Sequence, residues 1–170
     1  ARYGNSVVAA NGYIYSIGGN NGLNGSTTVE YAKLNPDGSM GTWTNNSNVL
    51  NTTRSFTGAV VANGYVYVVG GIDFSTERNT IEYARINSSG TIGTWTQPST
   101  TLAAVRSNNS AVVMNGYLYT IGGSPGTTEY TRLNSDGTIN TWSTTSAPSS
   151  IYRNRSVVVN GYVYNIGTHN

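Results

Sequence analysis

The stretch Asn63-Gly-Tyr-Val-Tyr-Val-Val-Gly-Gly71 decides the fold, because versions of it occur four times in 170 residues. The other copies begin at Asn11, Asn115 and Asn160, so that consecutive copies start 52, 52 and 45 residues apart. A second signature, Gly-Thr-Trp or Asn-Thr-Trp, follows the first three copies and ends at Trp43, Trp95 and Trp142. Self-similarity at a period of this size predicts a repeat protein in which each copy is one small structural unit.

Each copy predicts two antiparallel strands joined by a tight turn. The first strand is expected at Thr57 to Ala62 and the second at Tyr65 to Val69, joined across Asn63-Gly64. Asn-Gly is favoured in a two-residue type I′ hairpin because both central residues need positive φ. A third strand is expected at Thr80 to Ile86, followed by a glycine-containing turn and a fourth strand that carries Trp95.

The predicted sheet is apolar on both faces. Tyr65, Tyr67 and Val69 alternate along the second strand with Val66 and Val68, and alternate residues of a strand point to opposite sides. Such a sheet needs cover on both sides, which copies of itself provide when they stack around a common axis. The sequence therefore predicts an all-β protein made of β-propeller blades, each with four antiparallel strands.

Four repeated features resemble the Kelch repeat. They are a Gly-Gly doublet ending the second strand, a Tyr on the third strand, a Trp on the fourth, and an Arg ahead of the first strand, in the series Arg2, Arg54, Arg106 and Arg153. The resemblance covers essentially the whole chain, and Glu82-Tyr-Ala-Arg-Ile-Asn-x-x-Gly-x-x-Gly-Thr-Trp95 is similar to a phrase of bacterial Kelch-repeat proteins. It implies a Kelch-type propeller, which usually has six or seven blades.

The copies predict three complete blades and two strands of a fourth. Blades are expected at about residues 1–48, 53–100 and 105–147, with a half blade at 151–170. We interpret this as half of a six- to seven-bladed ring. The chain could be part of a longer propeller, or copies of it could assemble head-to-tail into a ring. Either way we expect a partner, because two blade faces and a strand edge would otherwise be exposed.

Composition narrows the classes of function. Nine basic residues spread singly against seven acidic ones disfavour nucleic acid as a partner, and no stretch approaches the roughly 18 apolar residues of a membrane span. With no Cys and one His, the chain cannot supply the crosslink and ligands of a galactose oxidase-type copper site, and we predict no cofactor and no metal. Few charges and abundant Thr, Ser, Asn and Tyr suggest an extracellular or cell-surface protein, and the resemblance suggests a bacterial one.

The repeated charged residues are interpreted as scaffold. A ring of them could surround an anionic ligand, but their recurrence at one place in every blade favours pairing of each Arg with a Glu or with carbonyls at the blade junction. The same reasoning assigns the tryptophans to structure. The residues concerned are Arg2, Arg54, Arg106, Glu30, Glu82, Glu129, Trp43, Trp95 and Trp142.

Binding is expected where the blades differ. The loops after the Gly-Gly doublets vary, and that of blade two contains Asp73, Phe74, Glu77 and Arg78, a cluster of charges and an aromatic outside the repeat pattern. Loops on a rigid scaffold carry binding more often than the strands do. These four residues are the candidate ligand-binding residues.

No constellation for catalysis is visible in the sequence, whether a nucleophile with a base, paired carboxylates or several metal ligands, so no catalytic residue is assigned. The sequence favours a noncatalytic extracellular scaffold that binds a protein or glycan through its blade loops. One alternative is a fragment of a carbohydrate-active Kelch-type enzyme. Another is a structural repeat whose blades stack between chains into a homo-oligomeric propeller.

Overall fold

The computed structural model of the chain describes residues 2–22, 24–146 and 151–169. The chain is all-β over these residues, which confirms the predicted fold class. Its strands form antiparallel sheets of two to four strands, as expected for propeller blades. No helix in the described part of the chain is long and apolar enough to cross a membrane.

Blade one is a four-stranded antiparallel sheet in simple sequential order. Its strands are β1 (Ser6–Ala10), β2 (Tyr13–Ile17), β3 (Val29–Lys33) and β4 (Thr44–Asn45). The register pairs each residue of β1 with one of β2 without a bulge. Trp43 lies directly before β4, whereas the sequence predicted the repeated tryptophan on the fourth strand itself.

Blade two contains β5 (Gly58–Ala62), β6 (Tyr65–Val69) and β9 (Ile81–Arg85), hydrogen-bonded in that order. Between β6 and β9 the chain forms a separate small hairpin from β7 (Ile72–Asp73) and β8 (Thr76–Glu77). The variable loop of this blade is therefore an ordered hairpin.

The fourth strand predicted around Trp95 is reduced to a single bridge in blade two. Thr96 exchanges hydrogen bonds with Tyr83, and Trp95 itself lies just outside this bridge. In blade one the next contact of the ladder is the bond from the N–H of Asn46 to the carbonyl of Val29. Pro98 stands at the position of Asn46 and has no N–H to donate, so the ladder stops.

Blade three again has four strands in sequential order: β10 (Ser110–Met114), β11 (Tyr117–Ile121), β12 (Thr128–Arg132) and β13 (Ser143–Thr145). Its fourth strand begins immediately after Trp142. All three repeated tryptophans thus precede the fourth strand or bridge of their blade.

The half blade consists of two longer strands, β14 (Ile151–Val159) and β15 (Tyr162–His169), with an irregular register between Tyr152 and Arg155. The expectation that Arg153 continues the arginine series is wrong. Arg2, Arg54 and Arg106 each lie nine residues before an Asn-Gly turn, and that place in the half blade is Ile151. Arg153 instead matches Phe56 and Asn108, and these three have φ of 58°, 54° and 56°.

The Asn-Gly turns set the hairpin register in every blade. Asn63 and Gly64 have φ of 52° and 78°, and the other three turns have nearly the same values. Positive φ at both positions is the requirement of a type I′ turn, and Asn followed by Gly meets it at the lowest cost.

Neighbouring blades pack face to face, and the first strands lie innermost: β1 contacts β5, β5 contacts β10, and β10 contacts β14. One core joins Tyr15, Ile17 and Val29 of blade one to Val66, Val68, Ile92 and Trp95 of blade two. A second core joins Tyr67, Val69 and Ile81 of blade two to Leu118, Leu133 and Trp142 of blade three. Blade two is therefore buried on both faces, as its alternating apolar residues predicted.

The linkers between blades add a contact that the sequence did not reveal. Leu50 and Leu102, at equivalent positions 52 residues apart, are each buried in the core between two blades. The Asn46 side chain bonds both the N–H and the carbonyl of Ile92 in blade two. Each linker thus fastens one blade to the next.

Candidate functional site

The repeated Arg and Glu residues form ion pairs at the blade junctions, and the pairs of blades two and three are buried. In blade two, Arg54 Nη2 lies 2.7 Å from Glu82 Oε1, and both side chains are fully buried. Glu82 also accepts hydrogen bonds from the backbone N–H groups of Asn51 and Thr52 in the linker. The Arg54 guanidinium also donates to the carbonyl of Gly70.

The same arrangement recurs in the flanking blades. Arg106 pairs with Glu129 in blade three, fully buried, and the N–H of Ala103 donates to this carboxylate. Arg2 pairs with Glu30 in blade one, where both side chains are partly exposed.

Burial lowers the pKa of the Arg54 and Arg106 side chains below the ordinary value for arginine. The carboxylate of the paired Glu has the opposite effect and raises the pKa. Each buried carboxylate is surrounded by an Arg and by linker N–H groups. In blades two and three these pairs hold together the segment before the first strand, the third strand and the linker.

The candidate residues of the blade-two loop lie together on the β7–β8 hairpin. Arg78 Nη2 lies 3.4 Å from Asp73 Oδ2, and Glu77 accepts hydrogen bonds from the hydroxyls of Ser107 and Ser124 in blade three. Phe74 lies at the tip of the hairpin with 75 % of its surface exposed. The charges of this cluster therefore fix the hairpin, and Phe74 is what the hairpin presents to solvent.

A cavity of about 340 Å³ opens at the same end of the blades, between the beginnings of the four innermost strands. Ser6, Gly58, Ser110 and Arg155 occupy matching register positions in these strands. Three small residues and one long cation thus line the mouth. Among the residues that the structure describes, no carboxylate lies within ion-pair distance of Arg155.

Aromatic rings lie before or at the beginning of the first strands at this end of the blades, outside the lining of the cavity. The rings of Tyr3 and Phe56 lie 5.9 Å apart, and the Asn108 amide donates to the hydroxyl of Tyr152 at 3.0 Å. Arg153 lies over the ring of Tyr152 at 5.5 Å. We call Tyr3, Phe56, Phe74, Tyr152 and Arg155 the loop-face residues.

Sequence reasoning missed four of the five loop-face residues, since only Phe74 was assigned. The sequence does distinguish the four missed residues. Counted back from the Asn-Gly turns, they occupy positions at which the residue type differs between blades. Tyr3 corresponds to Ser55, and Arg155 corresponds to Gly58.

Within the described ranges, no group of three or more His, Asp or Glu side chains could hold a metal ion. The loop face instead offers aromatic surface, amides, hydroxyls and the guanidinium of Arg155, which donates to the carbonyl of Asn154 and has no carboxylate partner among the described residues. Such a set of groups can bind a ligand through stacking and hydrogen bonds.

Comparison with known families matches residues 53–83 to the Kelch motif. The matched segment begins just before Arg54, includes β5, β6 and the Gly70-Gly71 doublet, and ends at Tyr83 on β9. It therefore contains three of the four features on which the resemblance was based. No curated protein matches the chain.

Proposed function

We propose that the chain, which matches the Kelch motif over residues 53–83, is a noncatalytic scaffold that binds a protein or glycan partner through its loop face. The Kelch motif itself suggests a protein-interaction repeat scaffold. The loop-face residues supply the contact surface, and Arg155 among them also lines the cavity.

The observation that supports this proposal most is which side chains are buried in the scaffold and which are exposed. The Arg and Glu side chains at the repeat positions of Arg54 and Glu82 pair with each other within the scaffold, and in blades two and three these pairs are buried. Phe74 and Arg155, which do not recur, are exposed at the end of the blades where the cavity opens. Exposed aromatic and Arg side chains beside a cavity are typical of interaction hot spots.

An extracellular location fits this function. The chain has no Cys to oxidise and only 9 % charged residues, with many Asn, Ser, Thr and Tyr side chains for polar contacts. Tyr rings can stack on sugar faces while Asn amides bond hydroxyls, so a glycan is as suitable a ligand as a protein.

We expect the chain to bind members of a glycan array or of a displayed peptide library, and loop-face variants to lose that binding. Phe74→Ser and Arg155→Gln should each weaken the strongest hit by about tenfold or more, as truncation of a hot spot does. The matched control is Lys33→Gln, an exposed cation at the far end of blade one beside the Asn11-Gly12 turn. Affinities measured by biolayer interferometry check this.

Two results would contradict the proposal. One is an array and a library with no reproducible hit. The other is a hit whose affinity falls as much with Lys33→Gln as with the two loop-face variants.

A further inference from the structure

We propose that copies of this chain pack head to tail, with the half blade of one copy seated on blade one of the next. The tail face is the side of the half blade turned away from blade three, formed by Val157, Val159, Tyr162, Tyr164 and Ile166. The head face is the side of blade one turned away from blade two, formed by Val7, Gly38, Met40 and Trp43. This interface adjoins the loop face at Arg155, which pairs with Ile166 across the two strands, but it does not depend on the proposed function.

The tail face repeats a surface that is buried inside the molecule. Val157 pairs with Tyr164 in the same register in which Val60 pairs with Tyr67 in blade two. Tyr67 is fully buried against blade three, whereas Tyr164 is 52 % exposed and Ile166 is 70 % exposed. The half blade thus presents the residues that elsewhere cover the next blade.

The head face repeats the surface that receives them. Met40 and Trp43 correspond to Ile92 and Trp95, which are 0 % and 4 % exposed because blade one covers them. Met40 and Trp43 themselves are 53 % and 41 % exposed. Both halves of the internal interface are therefore present on one chain and uncovered.

A contact between a tyrosine ring and a turn glycine makes the fit between the tail face and the head face specific. A Cβ added to Gly90 would lie 2.5 Å from the ring of Tyr13 in blade one, and one added to Gly137 would lie 2.5 Å from the ring of Tyr65 in blade two. In both cases a second-strand tyrosine of one blade rests on the turn glycine of the next, and only glycine leaves room for the ring. Gly38, the equivalent turn glycine of blade one, has no atom within 4 Å of its Cβ position.

Tyr162 is the counterpart of Tyr13 and Tyr65, and it lies on the exposed tail face. In a head-to-tail pair the ring of Tyr162 would pack against Gly38 of the next copy. Tyr164 would then donate to the carbonyl of Gly38, as the Tyr67 hydroxyl does to the carbonyl of Gly137 at 3.0 Å. A second copy is the occupant that supplies these groups in the register already used inside the chain, with Arg155 standing where blade two has Gly58.

Sedimentation velocity of paired variants tests the proposal. The tail variant carries Tyr164→Asp together with Ile166→Asp, and the head variant carries Met40→Asp. These side chains are exposed, so circular dichroism and thermal unfolding should show that both variants fold. We expect the parent chain to associate between micromolar concentration and about 100 µM, as mass action requires, and each variant alone to stay monomeric.

Mixing the two variants should restore a complex of one copy of each, because the mixture retains one intact head face and one intact tail face. That complex should grow no larger, since both of its remaining faces are disabled. A monomeric parent chain would overturn the proposal and leave the two faces to further blades of a longer polypeptide. Association of either variant alone, or failure of the mixture to form the complex, would also overturn it.

Discussion

Replacing Glu82 by Gln is expected to lower the free energy of unfolding by about 3–5 kcal/mol, because it leaves the charge of Arg54 buried without its partner. Both side chains are fully buried, and the carboxylate also accepts the N–H groups of Asn51 and Thr52. Gln has nearly the same volume, so the loss reports the charge and its hydrogen bonds. Urea unfolding followed by tryptophan fluorescence measures it.

The repeat provides a matched control for this prediction. Glu30 holds the same position in blade one, but its pair with Arg2 is partly exposed, and Glu30→Gln should cost no more than about 1 kcal/mol. Replacing both members of the buried pair, Arg54→Met with Glu82→Leu, should recover much of the stability lost by Glu82→Gln alone. Equal losses for Glu82→Gln and Glu30→Gln would show that burial does not govern these pairs.

Trp95→Ala is expected to cost about 3–5 kcal/mol, because it removes a large side chain from the core between blades one and two. Trp43 occupies the same repeat position on the exposed head face, so Trp43→Ala should cost far less. Both substitutions are best compared in the tail variant, where association cannot cover Trp43. Urea unfolding checks the difference, and similar losses at the two positions would contradict the blade stacking described above.

The sequence was sufficient to predict the blade. Asn63-Gly64 fixed one hairpin because few dipeptides accept positive φ at both positions, and the alternation from Tyr65 to Val69 required cover on both faces. The third strand was also placed correctly to within a residue at each end, since its repeated Glu and Tyr mark it.

The details that escaped sequence reasoning depend on single contacts. Pro98 has no N–H to donate, so the fourth strand of blade two is reduced to a single bridge. The repeated tryptophan had predicted a full strand there. Arg153 was placed in the arginine series by residue type, although counting from the Asn160-Gly161 turn puts it at a left-handed position instead.

The loop face was only partly predictable for a similar reason. The charges of Asp73, Glu77 and Arg78 predict a binding cluster, and in the structure they also hold the hairpin through an ion pair and hydrogen bonds to blade three, so their role in binding stays a prediction. Whether a charged side chain is bonded inside the protein depends on tertiary partners such as Ser107 in blade three, which the sequence does not reveal. Arg155 differs from Ser6, Gly58 and Ser110 at its repeat position, but only the fold shows that these four positions meet at one cavity.

Hydrogen exchange of the tail variant tests most directly the claim that each blade is stabilised by neighbours on both of its faces. Strands β2 and β6 have the same register and backbone hydrogen bonds, but blade two is covered on both sides and blade one on one. We expect the amides of β6 and β9 to exchange more slowly than those of β2 and β3, and those of β15 to exchange fastest of all. Exchange from blade two as fast as from the half blade would contradict the account.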